Sequence, residues 1–217
     1  MSVSLTKFVD FVNAKGLERR VVVEKTLNPD KYETYKDFYK NLRDAIVAMH
    51  KENAPIDSLP GRIRDANDIK KKHFNEIVCG YQKWAKSKRI VFLEDNSCIF
   101  DLDGVNLSIN PELILLINRE PTVVKLYFKQ ENLEKDAANM IATLLLMAFQ
   151  DYDKKYQDYR FGILDIRRGR LYRITSSTPI NEIMETLKIE AASWLKYTES
   201  LYSMKTVETA PLNHSIQ

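Results

Sequence analysis

The stretch NPELILLINREPTVVKLYFK, residues 110–129, decides the fold. Its large apolar residues predict two strands, residues 112–117 and 123–128, and the polar residues and the proline between them are typical of a turn. Side chains alternate along a strand, so one face of the second strand carries Lys125, Tyr127 and Lys129. The opposite face carries Val124, Leu126 and Phe128. The first face is polar and the second is suited to a core.

Three more β-prone segments precede this pair: residues 90–93, Cys98–Leu102 and Val105–Ile109. Turn-forming residues separate them, and Asp101 and Asp103 are interpreted as part of a turn before Gly104 rather than as a carboxylate pair. We expect the five strands to form an antiparallel meander. Residues 133–150 predict a largely buried helix, which should pack on the sheet near Leu126 and Phe128.

Helical periodicity elsewhere predicts helices at residues 4–13, 30–51 and 67–88, and the valines of residues 20–25 favour an isolated strand. Residues 161–166 and 170–174 form a hairpin, and Thr178 and Pro179 begin a last helix. We predict an α+β fold whose central, mostly antiparallel or mixed sheet is flanked by helices. A loop at Pro55 and Pro60 divides an N-terminal helical region, residues 1–60, from an α/β core, residues 61–203, and a flexible tail, residues 204–217.

Composition excludes several classes of protein. The 217 residues are 44% hydrophobic, but the longest apolar run, residues 140–149, is about half of the roughly 20 residues that a membrane span needs. The first residues lack the features of a signal peptide, which predicts a cytoplasmic protein with no membrane partner. Cys79 and Cys98 lack metal-binding spacing, so we expect neither a zinc site nor a structural disulfide. The three histidines are scattered, and no glycine-rich phosphate loop is present.

The order helix, strands, helix, strand over residues 67–174 resembles the core of the PD-(D/E)xK, or restriction-endonuclease-like, nuclease superfamily. In that core the middle strand begins with an acid, and the next strand carries an acid-x-lysine motif. The resemblance implies a metal-dependent nuclease fold. Residues 123–128 and 161–166 are also similar to uncharacterised bacterial proteins for which no activity is known.

The resemblance assigns the first acid to Glu112, which opens its strand, and implies that this residue ligates Mg²⁺ through carboxylate oxygens. The lysine of the motif is Lys125 or Lys129. The acid two residues before it is then replaced by Val123 or Tyr127, so the motif is incomplete.

Two interpretations of the incomplete motif stay open. In the first, the metal site is lost, and the two lysines are ordinary surface residues of a half-exposed sheet. In the second, Glu131 or Glu134 supplies the second carboxylate from a shifted position, and Glu112 with Lys125 or Lys129 remains catalytic.

Arginines are concentrated in residues 160–173, where Asp165 is the only acid. Arg167, Arg168 and Arg170 crowd the predicted turn without an obvious internal partner, which favours binding of DNA or RNA phosphates. A solvated hairpin is the other interpretation. The sequence therefore predicts a nuclease-fold protein that lacks an intact metal site and binds nucleic acid or a protein partner. The alternatives are an active Mg²⁺-dependent nuclease and a structural, protein-interaction module.

Overall fold

A computed structural model describes residues 2–28, 39–63 and 68–208. The α-helices are α1 (Leu5–Asn13), α2 (Leu17–Leu27), α3 (Lys40–Lys51), α4 (Leu59–Arg62), α5 (Asp68–Ala85), α6 (Lys135–Tyr152) and α7 (Ile180–Glu208). The strands are β1 (Val3–Ser4), β2 (Ile90–Glu94), β3 (Cys98–Leu102), β4 (Val105–Ile109), β5 (Leu113–Ile117), β6 (Glu120–Tyr127), β7 (Arg160–Asp165) and β8 (Arg170–Arg173). Short 3-10 helices cover Ile56–Ser58 and Lys154–Asp158.

The strands form two mixed sheets, which confirms the predicted α+β class. The larger sheet has the order β2-β5-β6-β7-β8, and the smaller has the order β1-β4-β3. Strands β2, β5 and β6 are antiparallel neighbours, whereas β6 and β7 are parallel and are joined through α6. The single five-strand meander was wrong, because the β3–β4 hairpin leaves the larger sheet and pairs with β1 instead.

Two hydrophobic cores lie on opposite faces of the larger sheet. On one face, α1, α2, α6, α7 and the smaller sheet pack over Val123 and Ile163. On the other face, α3, α4 and α5 pack over Leu126 and Phe128. The prediction that residues 133–150 form a buried helix is confirmed, but its predicted contact with Leu126 and Phe128 was wrong. Helix α6, which connects the parallel strands β6 and β7, packs on the Val123 face instead.

The predicted strand at residues 20–25 was also wrong, since these residues belong to α2. Val23 is fully buried against the core that α1 and α7 share, and this tertiary contact outweighs the β preference of a valine run. The predicted helix at residues 30–51 is observed from Lys40 onward, and its first part, with Tyr32 and Tyr35, lies outside the described residues.

Helices from the first sixty residues are divided between the two cores: α1 and α2 join one, and α3 joins the other. The division of the chain into three regions stays a prediction. The last helix continues to Glu208, past the residue at which the tail was expected to begin. Residues 209–217 lie outside the described residues.

Helix α5 crosses the β7–β8 turn at unusually close range. A Cβ atom on Gly80 would lie 2.2 Å from the carbonyl oxygen of Ile166 and 2.4 Å from that of Arg167. Gly169 fills the turn with a φ of +60°, which glycine adopts without strain. Two glycines thus allow the backbone of α5 to contact the turn directly.

Candidate functional site

Glu112 and Lys125 form a direct, mostly buried ion pair. The Lys125 Nζ lies 2.6 Å from the Glu112 Oε1, and the two side chains are only 12% and 8% exposed, respectively. Lys125 also donates to the carbonyl oxygen of Asn110 at 2.7 Å. The second carboxylate oxygen of Glu112 accepts the backbone N–H of Leu126 at 2.7 Å. Both carboxylate oxygens are therefore engaged within the protein.

Strand register produces this contact. Leu113 pairs with Val124 in the antiparallel β5–β6 ladder, so the residue before Leu113 lies beside the residue after Val124. The two residues that sequence reasoning selected are consequently neighbours, although twelve residues separate them along the chain. We call the end of the larger sheet where β5 begins and β6 and β7 end the cleft end.

The ion pair lines a cleft of about 700 Å³ between α3, the start of α1 and the cleft end. Charged side chains of both signs line it: Arg43, Asp44, Lys51, Asp95, Glu112 and Lys125. Lys51 pairs with Asp95, and Arg43 lies 3.9 Å from Asp44. Three cations thus face three carboxylates. Sequence reasoning missed the members from α3 and from the β2–β3 loop, because only folding brings them to Glu112.

The wall that α3 contributes is held by a buried contact between His50 and Tyr81 of α5. Burial lowers the pKa of His50 from its ordinary value of 6.5 to about 4. Burial also raises the pKa of the Tyr81 hydroxyl. Both groups are neutral at pH 7, and they join α3 to α5 without a charge.

The cleft does not fit a Mg²⁺ centre. Two residues before Lys125, where the resemblance expects the second acid, Val123 is fully buried in the core under α6. Both oxygens of Glu112 already have partners. No cluster of three or more His, Cys, Asp or Glu side chains in the described part of the chain is arranged to hold a metal ion.

The structure places Lys129 and Glu131 apart from the ion pair. Lys129 bonds instead to Asp10 of α1, with 2.5 Å between Nζ and Oδ1. Glu131 is exposed, and it acts on Tyr127, whose pKa is raised to about 12 by burial, then by the charge of Glu131 and of other carboxylates. Glu134 is an exposed residue at the N-terminus of α6. Among the described residues, neither glutamate lines the cleft.

Two of the three arginines at the β7–β8 turn, Arg167 and Arg168, have carboxylate partners, contrary to expectation. The Arg167 side chain is 8% exposed, pairs with Glu76 at 2.9 Å and donates to the Tyr39 hydroxyl at 2.9 Å. Arg168 is 40% exposed and pairs at 3.0 Å with Asp165, which is fully buried. Arg167 is therefore a structural residue, whereas Arg168 keeps part of its surface in solvent.

Arg170 is exposed and stacks on Tyr172, with 4.6 Å between its Cζ and the ring centroid. The arginine cluster of residues 160–173 is also divided by the hairpin. Arg160 and Arg173 lie away from the turn, about 16 Å and 10 Å along β7 and β8, respectively.

Comparison with known proteins adds no relationship: no protein-family model matches the chain, and no curated protein is significantly similar to it.

Cys79 is exposed and Cys98 is buried, and both are free thiols. No helix within the described ranges has the length and apolar character that crossing a bilayer requires.

Proposed function

We propose that this chain is a nuclease-fold protein without a working metal centre, and that it binds the phosphate backbone of nucleic acid at the cleft end. One observation carries the proposal. Glu112 and Lys125 are in contact at the strand positions that the PD-(D/E)xK resemblance assigns, while a buried Val123 takes the place of the second acid.

The order of elements supports the nuclease fold. Helix α5 precedes β2, β5 and β6, which are antiparallel neighbours, and α6 then leads to β7, which is parallel to β6. This is the order of the nuclease core with the β3–β4 hairpin inserted between its first and second strands. We also propose a cytoplasmic location, because the proposed ligand is nucleic acid.

Three arginines at the cleft end have guanidinium surface available for phosphate: Arg43, Arg168 and Arg170. Arg43 is 39% exposed and Arg168 is 40% exposed. Guanidinium groups bind phosphate oxygens through paired hydrogen bonds, so partial exposure is sufficient for contact. Arg167 is excluded from this role by its burial and by its bonds to Glu76, Tyr39 and the Phe128 carbonyl oxygen.

The missing metal centre is tested by a cleavage assay. We expect the purified protein to leave supercoiled plasmid and single-stranded DNA intact with Mg²⁺ or Mn²⁺, because a two-carboxylate metal site is not assembled. Metal-dependent nicking that the Glu112→Ala variant abolishes would instead establish the active-nuclease alternative. Nicking that survives in that variant indicates a contaminant.

Phosphate binding is tested by titrating a fluorescent duplex with the protein at several salt concentrations. Each lost phosphate contact reduces the slope of log affinity against log salt by about 0.9, so Arg168→Ala combined with Arg170→Ala should flatten it by up to about two units. Lys196→Ala, an exposed lysine of α7, is the control for lost charge. A wild-type protein that binds neither DNA nor RNA at low salt would favour the protein-interaction module.

A further inference from the structure

The end of the larger sheet opposite the cleft carries a second group of cations. Here β5 turns into β6 through Asn118 and Arg119, and β2 begins after Arg89. The backbone N–H of Arg89 donates to the Asn118 side chain at 2.9 Å, and the N–H of Asn118 donates back to the Arg89 carbonyl at 2.9 Å. The α5–β2 connection is thereby joined to the β5–β6 turn.

We call the cations at this end the distal basic face: Lys86, Lys88, Arg89, Arg119, Arg160 and Arg173. One carboxylate within the described residues pairs with this group. Glu120 lies 3.6 Å from Arg160 and 3.1 Å from Arg173. Lys86, Arg89 and Arg119 are exposed and form no ion pair within the described part of the chain. Asp158 is exposed two residues before Arg160 but makes no ion pair with the face.

Lys88 lies close enough to Arg173 for the two cations to repel each other. Its pKa is lowered, first by burial and then by repulsion from Arg173. The ammonium group lies over the ring of Trp84 at 5.2 Å and donates to the Trp84 carbonyl oxygen. The dipole at the C-terminus of α5 favours Lys86 and Lys88, but it does not account for the arginines that the strands contribute.

Arg119 has a backbone conformation that is unfavourable for residues other than glycine. Asn118 and Arg119 have φ values of +50° and +74°, the left-handed conformation of a two-residue hairpin turn. Asparagine suits the first position, whereas glycine is strongly preferred at the second. The chain instead places an exposed arginine at the tip of the turn. A disfavoured residue that brings charge to an already basic surface indicates a role in binding.

We propose that the distal basic face binds the phosphate backbone of a nucleic acid, as a contact surface separate from the cleft end. The chemistry of the face favours phosphate over an acidic protein. Apart from Glu120, its exposed charged side chains are lysines and arginines, while its aromatic residue, Trp84, is buried. The centre of a protein interface is usually apolar and poor in charge, whereas a phosphate backbone needs only well-placed cations.

The decisive variant is Arg119→Gly in the full chain, assayed by the same salt-dependent titration of a fluorescent duplex. Glycine adopts a φ of +74° freely, so we expect the melting temperature to be unchanged or higher. We expect the slope of log affinity against log salt to fall by about 0.9, and Lys86→Ala with Arg89→Ala to reduce it by up to about two units. Arg119→Lys, which keeps the charge, should retain most of the slope.

Lys196→Ala is again the control for charge lost elsewhere. If Arg119→Gly changes the slope no more than Lys196→Ala does, the proposal that the distal basic face binds phosphate is overturned. If only the cleft-end variants flatten the slope, the proposed function is supported and binding at the distal basic face is overturned. If only the distal variants flatten it, binding at the distal basic face is supported and binding at the cleft end is overturned. Tighter binding of polyglutamate than of an oligonucleotide of equal charge, with loss in Arg119→Gly, would show that the face serves an acidic protein and would overturn the phosphate assignment.

Discussion

The two ends of the larger sheet both carry clustered cations, but the clusters are balanced differently. At the cleft end, Lys125, Lys129, Arg167 and Arg168 each pair with a different carboxylate, and Arg170 alone among the turn arginines forms no ion pair within the described residues. At the distal basic face, Glu120 pairs with both Arg160 and Arg173. Lys86, Arg89 and Arg119 are exposed and form no ion pair among the described residues. Net positive potential therefore depends on pairing across the fold, and a count of basic residues along the chain does not reveal it.

The largest effect should come from closing the contact between α5 and the β7–β8 turn at the cleft end. Gly80→Ala places a Cβ within 2.4 Å of two backbone carbonyl oxygens, and backbone yields less than a side chain. We expect the free energy of unfolding to fall by at least about 3 kcal/mol, measured by denaturant titration. Gly61→Ala is the matched control, since nothing lies within 4 Å of its new Cβ. Equal stability of the two variants would mean that α5 does not approach the turn this closely.

Breaking the Glu112–Lys125 pair should have the next largest effect. Glu112→Gln keeps the shape of the side chain but leaves a lysine that is 12% exposed without its countercharge. We expect a loss of about 2–3 kcal/mol in the free energy of unfolding, because Lys125 loses its countercharge but keeps its hydrogen bond to the Asn110 carbonyl oxygen. Adding Lys125→Met should recover part of the loss, and a strictly additive double variant would show that the two side chains do not interact.

The wall of the cleft should respond to pH through His50. Its folded pKa of about 4 lies below the ordinary 6.5, so between these values the unfolded chain binds the proton that the folded protein excludes. Stability is thus fully present above pH 6.5 and is lost as the pH falls toward 4. We expect His50 to account for about 2 kcal/mol of the loss between pH 8 and pH 5.

The His50→Gln variant isolates this contribution, because the other titrating groups are common to both proteins. The difference in unfolding free energy between wild type and variant should shrink by about 2 kcal/mol on going from pH 8 to pH 5. A difference that stays constant would show that folding does not lower the pKa of His50.

These contrasts also show which features could be predicted from sequence. The bounds of β3 and β4 were predicted correctly because alternation and turn residues are local signals. Their antiparallel pairing with each other was also predicted correctly, but the pairing of β4 with Val3 and Ser4, about a hundred residues earlier, was not. Pairing with a distant strand leaves no local pattern, so the meander was the natural but wrong inference.

The candidate site also combines residues that the sequence identified with partners that it could not reveal. Glu112 and Lys125 were selected separately from the sequence, and the register of β5 and β6, which a short turn joins, brings them into contact. Glu76 and Arg167 are 91 residues apart, and Asp10 and Lys129 are 119 apart. Those partners removed Arg167 and Lys129 from the set of available cations, and only tertiary structure reveals them.

The smallest effect, and the sharpest contrast, should come from Glu120→Gln at the distal basic face. The carboxylate is 48% exposed, and its partners are 60% and 42% exposed, so solvent screens both pairs. We expect a loss of less than about 1 kcal/mol in stability, against about 2–3 kcal/mol for the same substitution at Glu112. Removing the one carboxylate that pairs with the described part of this face should also tighten duplex binding at low salt. Weaker binding in Glu120→Gln would mean that Glu120 orients Arg160 and Arg173 for the ligand rather than competing with it.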